Sequence, residues 1–290
     1  MTMNAAAGAH PRATEAPSGH PGPYPFDRAR RRALVSFAVV LGVWQVGATS
    51  GHWLGYPVPL LSNIPAPTAV LEAWRRLLTD PGYWQSWAMS LLRVLAGFSA
   101  AVAAGVPFGL LLAHSRTIRG ILFPVFELLR PIPPLAWVPA SIIFWPTQEL
   151  SIAFVIFIGA FYTMVLNVLA GAEAMDIRLV QVARSMGASR ANIFRRLVLP
   201  AVVPSILVGM EVGIGITWEV VVAAEMISGG GAGKSTASGG GLGFFIWNSY
   251  VGGSYPQIIV GMISIGIAGY LSSQALRWLA ARFTDRLEVR

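Results

Sequence analysis

The chain has 290 residues, of which 54% are hydrophobic and only 12% charged, with a mean hydropathy of +0.60. A soluble domain carries about 25% charged residues, so this composition belongs to a bilayer. The formal charge of +8 invites a nucleic-acid reading that its distribution removes, and zero cysteines exclude disulfides, thiolate metal sites and thiol catalysis.

Residues 1–26 are rich in Pro, Ala, Gly and His without apolar periodicity, which predicts a disordered tail. His10 and His20 are too isolated for a metal site. Arg28, Arg30, Arg31 and Arg32 then precede the apolar run Ala33 to Ala48. A secretory signal cleaved near Val46-Gly-Ala48 is one reading. Trp44, Gln45 and the long preceding tail favour an uncleaved first helix. The organisation is therefore a basic tail, 1–32, and a membrane domain, 33–290. Residues 50–82 hold many prolines and an amphipathic piece, Thr68 to Leu78, expected outside at the interface.

Five further apolar stretches follow, each near the roughly 20 residues that cross a bilayer. They run from about Trp84 to His114, Ile118 to Trp145, Leu150 to Ala170, Leu197 to Ser228 and Tyr255 to Ala281. The fold class is thus all-α and polytopic, with six transmembrane helices. The second of the five contains Pro131, Pro133, Pro134 and Pro139 and must be kinked or broken. Broken backbone at membrane depth is tolerated only inside protein or beside a water-filled path.

Ionisable residues inside spans are costly and suspect. They are Arg93, Glu127, Arg130, Glu211, Glu219 and Glu225. Glu127 and Arg130 stand three apart and are expected to pair, and Arg93 to find a glutamate of the Leu197–Ser228 helix. The competing reading puts Arg93, Arg130, Pro131, Pro134, Trp137, Glu219 and Glu225 on a translocation path. With a cytoplasmic N-terminus, 16 of the 21 Lys and Arg fall inside and only Arg75, Arg76 and Lys234 outside. That asymmetry predicts both termini in the cytoplasm.

The segment about 172–198 is the one long basic, amphipathic loop. Gly187 is expected to end a first short helix in the left-handed conformation, and Ser189 to cap a second that Pro200 punctuates. This loop resembles the coupling loop of bacterial ABC importer permeases. Gln181-Val-Ala183 stand where that family has Glu-Ala-Ala, Gly187 falls at the right spacing, and Leu199-Pro200 closes the motif. The acidic residue and the first alanine are absent. The resemblance runs from about Pro65 to Phe283, and Leu129-Arg-Pro-Ile-Pro-Pro-Leu-Ala-Trp-Val-Pro139 is similar to the nitrate, sulfonate and taurine branch.

The resemblance implies a type I-like permease subunit, homodimeric, in a bacterial inner membrane. It would have cytoplasmic ATPase subunits and an external solute-binding protein as partners. ATP and magnesium would be used by the partner ATPase, with no cofactor, metal or catalytic residue on this chain. Docking would fall to Gln181, Ala183, Arg184, Met186, Gly187, Ala188, Ser189, Ile193, Phe194 and Pro200, with Arg190 and Arg195 adding charge. An amphipathic hairpin lying on anionic lipid is the alternative for this loop. Two intramembrane arginines beside a proline break fit an anionic solute of the nitrate, nitrite, cyanate or bicarbonate type, with sulfonates such as taurine next. Phe244-Phe-Ile-Trp247-Asn248 after Gly241-Leu-Gly243 looks like the nitrate-type permeases; an interfacial aromatic belt accounts for it equally.

Two motifs mislead. Ser228 to Thr236 approaches a phosphate-binding loop, but serine replaces the first glycine and no strand precedes it; a flexible external linker fits better. Helix, glycine turn and basic helix also describe a DNA reader, for which spans at both ends leave no core. Another class stays open: a secondary, ion-coupled carrier using Glu219 or Glu225, although no second broken span matches the first.

Overall fold

The computed structural model describes residues 26–53, 55, 61–229 and 240–288. Most of the expected tail and most of the Ser228–Thr236 run lie outside these residues. Every described regular element is helical. The chain forms two compact units, residues 1–67 and 68–290. In the first, α1 (Phe26–Trp53) carries the predicted apolar run without a break. Its Leu34, Phe37, Val40 and Val46 are exposed, as on a helix that is apolar on every side.

The second unit opens with α2 (Pro67–Leu77), which buries Val70 and Leu77 and leaves Arg75 and Arg76 exposed. Asp80 then caps α3 (Pro81–His114) by accepting the Gly82 N–H at 2.9 Å. Ser115 ends that helix and caps α4 (Arg116–Leu129), so the chain reverses on one residue. After Leu129 the prolines withdraw amide donors and block helical continuation. A short 3-10 turn, Pro134–Trp137, leads into α5 (Val138–Phe144), and α4 and α5 meet at 90°. The expected Ile118–Trp145 span is therefore a right-angle bend rather than a kinked rod. Among the described residues, five helices are long and apolar enough to cross a bilayer, and this pair makes a sixth when taken together.

Thr147 caps α6 (Gln148–Glu173), the most buried span. It packs between α3 and α9 (Leu199–Gly229). Glycines set the distance to α3. A Cβ would lie 2.6 Å from Ile156 at Gly97, and 2.8 Å from Met164 and Val168 at Gly105 and Gly109. Backbones that approach this closely gain dispersion contacts that lipid cannot replace. The ten-residue α10 (Leu242–Val251) is too short to cross. The last helix, α11 (Tyr255–Glu288), is tied to the others by hydroxyls: Tyr83 and Ser264 lie 2.8 Å apart, and the Trp218 indole donates to Ser272 at 3.1 Å.

Candidate functional site

The basic loop is built as its residues dictate. Asp176 accepts the Arg178 N–H at 2.8 Å and starts α7 (Ile177–Ser185). Gly187 then adopts φ +81°. Its N–H bonds the Arg184 carbonyl at 2.9 Å, and the Ala188 N–H reaches back to Ala183 at 3.0 Å. These two bonds are the Schellman closure, which satisfies carbonyls the helix end would leave bare. Ser189 accepts the Asn192 N–H at 3.3 Å and starts α8 (Arg190–Ile193).

The second helix does not stop at Pro200. A wide turn over Phe194–Val198 carries it directly into α9, with the Leu199 N–H bonding Phe194 five residues back. Pro200 has no N–H and its ring crowds the carbonyl four residues earlier, so a local widening lets the helix pass. Helix α8 and the span α9 are consequently continuous through this turn.

Of the docking candidates, Gln181, Arg184, Met186, Gly187 and Ser189 are exposed, Met186 by 81%. Ala183 and Ala188 are partly buried and Pro200 is exposed. Ile193 is buried, and Phe194 packs edge-on against His114 with ring centroids 6.1 Å apart. The Phe194 ring thus meets the end of α3 at His114. Exposed Ile177, Leu179 and Val182 add apolar surface near Met186. At the same end, Arg119 of α4 pairs with Glu173 of α6 at 2.5 Å.

The far end carries a buried ionic network. Arg93 presents Nε and Nη2 to the two oxygens of Glu149, at 2.7 and 2.5 Å, and Nη1 to Glu225 at 2.9 Å. Such a forked geometry is the strong arrangement of this pair. Ser90 donates to Glu225 at 2.8 Å and accepts the Leu242 N–H at 2.8 Å. Gly243 donates its N–H to Glu225 at 2.8 Å. The side chains of Arg93 and Glu225 are 4% and 0% exposed, that of Glu149 49%. One guanidinium thus faces two carboxylates, with no positive charge left over for an anion. A Cβ at Gly241 would lie 2.1 Å from Glu225, and at Gly243 2.3 Å from the Val222 carbonyl. Those glycines let the start of α10 reach the carboxylate.

Arg93 therefore finds its glutamate on α9, as expected, and a second that sequence reasoning missed. Glu149 lies one residue ahead of the span predicted from Leu150, and Ser90 carries no charge to draw notice. The expected Glu127–Arg130 pair does not form: both are exposed, and no ion pair joins them among the described residues. Helix α4 ends at Leu129, so Arg130 stands at the corner. Pro131 is exposed there, and Pro134 packs near Gly159 of α6. The Trp137 indole N–H is buried with no acceptor among the described residues. Glu219 is exposed on an α9 face that includes Val208, Val212 and Gly215, again without an ion pair. Among the described residues no cluster of three His, Cys, Asp or Glu is placed to hold a metal.

A family model described as "Binding-protein-dependent transport system inner membrane component" matches residues 105–289. The nitrate import permease of Synechocystis sp. is 37% identical over 257 residues, 86% of this chain and 87% of that one. The taurine transport permease of Escherichia coli is 34% identical, covering 90% and 91%. The bicarbonate permease of Synechococcus elongatus is 32% identical, covering 85% and 87%. Two solved transporters share the fold. An inward-facing methionine ABC transporter aligns with TM-score 0.58 and 19% identity over 70% of this chain and 98% of that one. A bacterial alginate importer aligns with TM-score 0.57 and 15% identity over 89% and 98%. The family match and the relatives at 32–37% identity remove the DNA-reader and ion-coupled carrier readings. The helical bundle, its Gly187 loop and these relatives agree that the chain belongs to the binding-protein-dependent inner membrane components: it is the multi-pass, non-catalytic permease subunit of an ABC importer, working with a binding protein and a separate ATPase.

Proposed function

We propose that this permease forms the path for a small anionic solute, of the nitrate, nitrite, cyanate or bicarbonate type first and sulfonates such as taurine next. The observation that carries the proposal is the corner at Arg130. Among the described residues, a guanidinium without an ion pair and an indole N–H without an acceptor stand at a break that bilayer hydrocarbon does not tolerate. Donors in search of an acceptor suit an anion passing through a wet path. The relatives named for nitrate, bicarbonate and taurine all handle solutes with an anionic group. Arg93, neutralised by Glu149 and Glu225, supports the scaffold of the path rather than contacting solute.

The functional unit is a homodimer. Glu219 on an exposed apolar face, and Glu127 and Arg130 at the bend, require cover from a second copy or water. Two copies also present two Gly187 loops to two ATPase subunits, with Met186 as the apolar anchor of each. The positive-inside asymmetry supports a cytoplasmic position for both termini and this loop.

A thermal-shift screen of the partner binding protein tests the solute. Its panel is nitrate, nitrite, cyanate, bicarbonate, taurine, alkanesulfonates and neutral heterocycles. Stabilisation by an inorganic anion is expected, and stabilisation only by a neutral or cationic ligand overturns the proposal. In proteoliposomes containing the complete transporter, Arg130→Gln is expected to cut uptake of that anion about tenfold, the loss of one charge-assisted contact.

A further inference from the structure

We infer that the flank of the Gly187 loop facing α3 is a binding site for an anionic glycerophospholipid, with one acyl chain along α3 and the phosphate held at the loop. Two adjoining cavities share His114, Arg190 and Phe194. The larger, about 510 Å3, is walled by Pro107, Leu110 and Leu111 of α3. The smaller, about 210 Å3, opens beside Arg184. Apolar walls thus grade into two guanidiniums within one continuous groove.

Position selects the occupant. Pro107 lies seven residues before His114, so the apolar part reaches about 10 Å down a membrane span. A soluble ATPase cannot follow it there, whereas an acyl chain already lies in that layer. Pro107, Leu111 and His114 are exposed along one face of the helix, the side a lipid would meet. Neither Arg184 nor Arg190 has an ion pair among the described residues. A phosphodiester supplies the charge both lack, at the depth where basic residues meet headgroups. Phe194, against His114 with ring centroids 6.1 Å apart, lines both cavities and makes the site part of the joint between loop and span. The lipid would accordingly brace that joint, on the flank away from Met186.

Native mass spectrometry of the full-length chain in detergent, without ATPase, tests the site. The probes are phosphatidylglycerol and phosphatidylcholine with identical chains. Wild type is expected to retain phosphatidylglycerol in preference. Arg184→Gln/Arg190→Gln is expected to lower that retention about tenfold and leave phosphatidylcholine unchanged, since each basic residue contributes separately. Arg75→Gln/Arg76→Gln, on α2, serves as the charge-matched control and is expected to change nothing. Leu111→Trp, which fills the apolar part, is expected to weaken both lipids. Equal retention of the two lipids by wild type overturns the inference. So does displacement of phosphatidylglycerol by millimolar inorganic phosphate, which would mark a free-anion site. If the double variant keeps its lipid but no longer co-purifies with the ATPase, the arginines belong to the protein partner and the lipid site is wrong.

Discussion

At one end of the bundle Arg93 commits all three guanidinium nitrogens to Glu149 and Glu225. At the other, Arg184, Arg190, Arg195 and Arg196 carry no ion pair among the described residues. The first arrangement is buried and satisfied, and it joins α3, α6, α9 and the start of α10 at one point. The second is exposed, held by two small hydrophobic contacts and a glycine turn. A transporter driven by a partner's shape change needs this asymmetry. One end must hold its register while the other receives the push. Charges closed within the chain serve holding, and charges left open serve partners.

The sharpest way to break the comparison is to open the closed end. Arg93→Ala leaves Glu225 buried without its cation, and losing one partner of such a pair costs about 3–5 kcal/mol. Thermal unfolding of the full chain in detergent should fall steeply, or folded yield should vanish. Arg93→Met/Glu225→Met should recover much of that loss, because it removes the stranded charge as well as its partner. Little loss in either the single or the double variant would show that the network is ornamental to the fold. The next effect is steric. Gly243→Ala would place a Cβ 2.3 Å from the Val222 carbonyl, a backbone atom that cannot swing aside. An overpacking cost of about 1–3 kcal/mol is expected, read in the same melt, with α10 displaced from α9.

These two sites also show where the sequence was legible. Hydropathy located the five long helices, because a bilayer leaves a helix no other composition, but it could not show that Ile118–Trp145 turns through 90°. Gly187 and Ser189 were legible because a Schellman turn and a hydroxyl cap are local chemistry. The pairing of Arg93 with an α9 glutamate was legible because a charge at that depth demands a partner. Its second carboxylate was not: Glu149 lay one residue outside the predicted span, and three-dimensional closeness to Arg93 leaves no trace in spacing. The Glu127–Arg130 pair failed for the opposite reason. Three-residue spacing makes neighbours only while the helix continues, and the prolines turn the chain by 90° just after Leu129. Pro200 misled likewise, since a proline early in a helix is absorbed by a widened turn and does not end it. Arg93 turns out to be closed on Glu225 and Glu149. A path role for Arg130, Pro131, Pro134, Trp137 and Glu219 rests on sequence reasoning, because the groups a passing solute would meet are not fixed by contacts within one chain.

Gly187→Ala sharpens the comparison at the open end. Nothing lies within 4 Å of the added Cβ, so no packing is disturbed and only the left-handed backbone objects. The cost is about 1 kcal/mol, too small to unfold a chain held by three packed spans. The expected result is a nearly unchanged melt with weaker ATPase retention and slower transport, if the proposed docking presents the angle between α7 and α8 to the partner. An equal loss of stability and coupling would instead make the turn a folding element like the Arg93 network.

The smallest structural effect is expected at Met186, and it isolates the open end best. The side chain is 81% exposed and the residue caps α7 through its backbone, with N–H bonds to Val182 and Arg184. Met186→Glu leaves those bonds intact and should change stability by less than about 0.5 kcal/mol. It does place a carboxylate at the centre of the apolar surface formed with Val182 and Leu179. If that surface seats in a groove on the ATPase, burying an unpartnered charge there should abolish co-purification while the permease alone remains folded and monodisperse. Met186→Leu should restore binding, because volume and apolarity are kept. Retention of the ATPase by Met186→Glu would move the contact to the Arg195–Arg196 flank of the loop. A loss that Met186→Leu does not repair would mean that the thioether, rather than apolar surface as such, makes the contact.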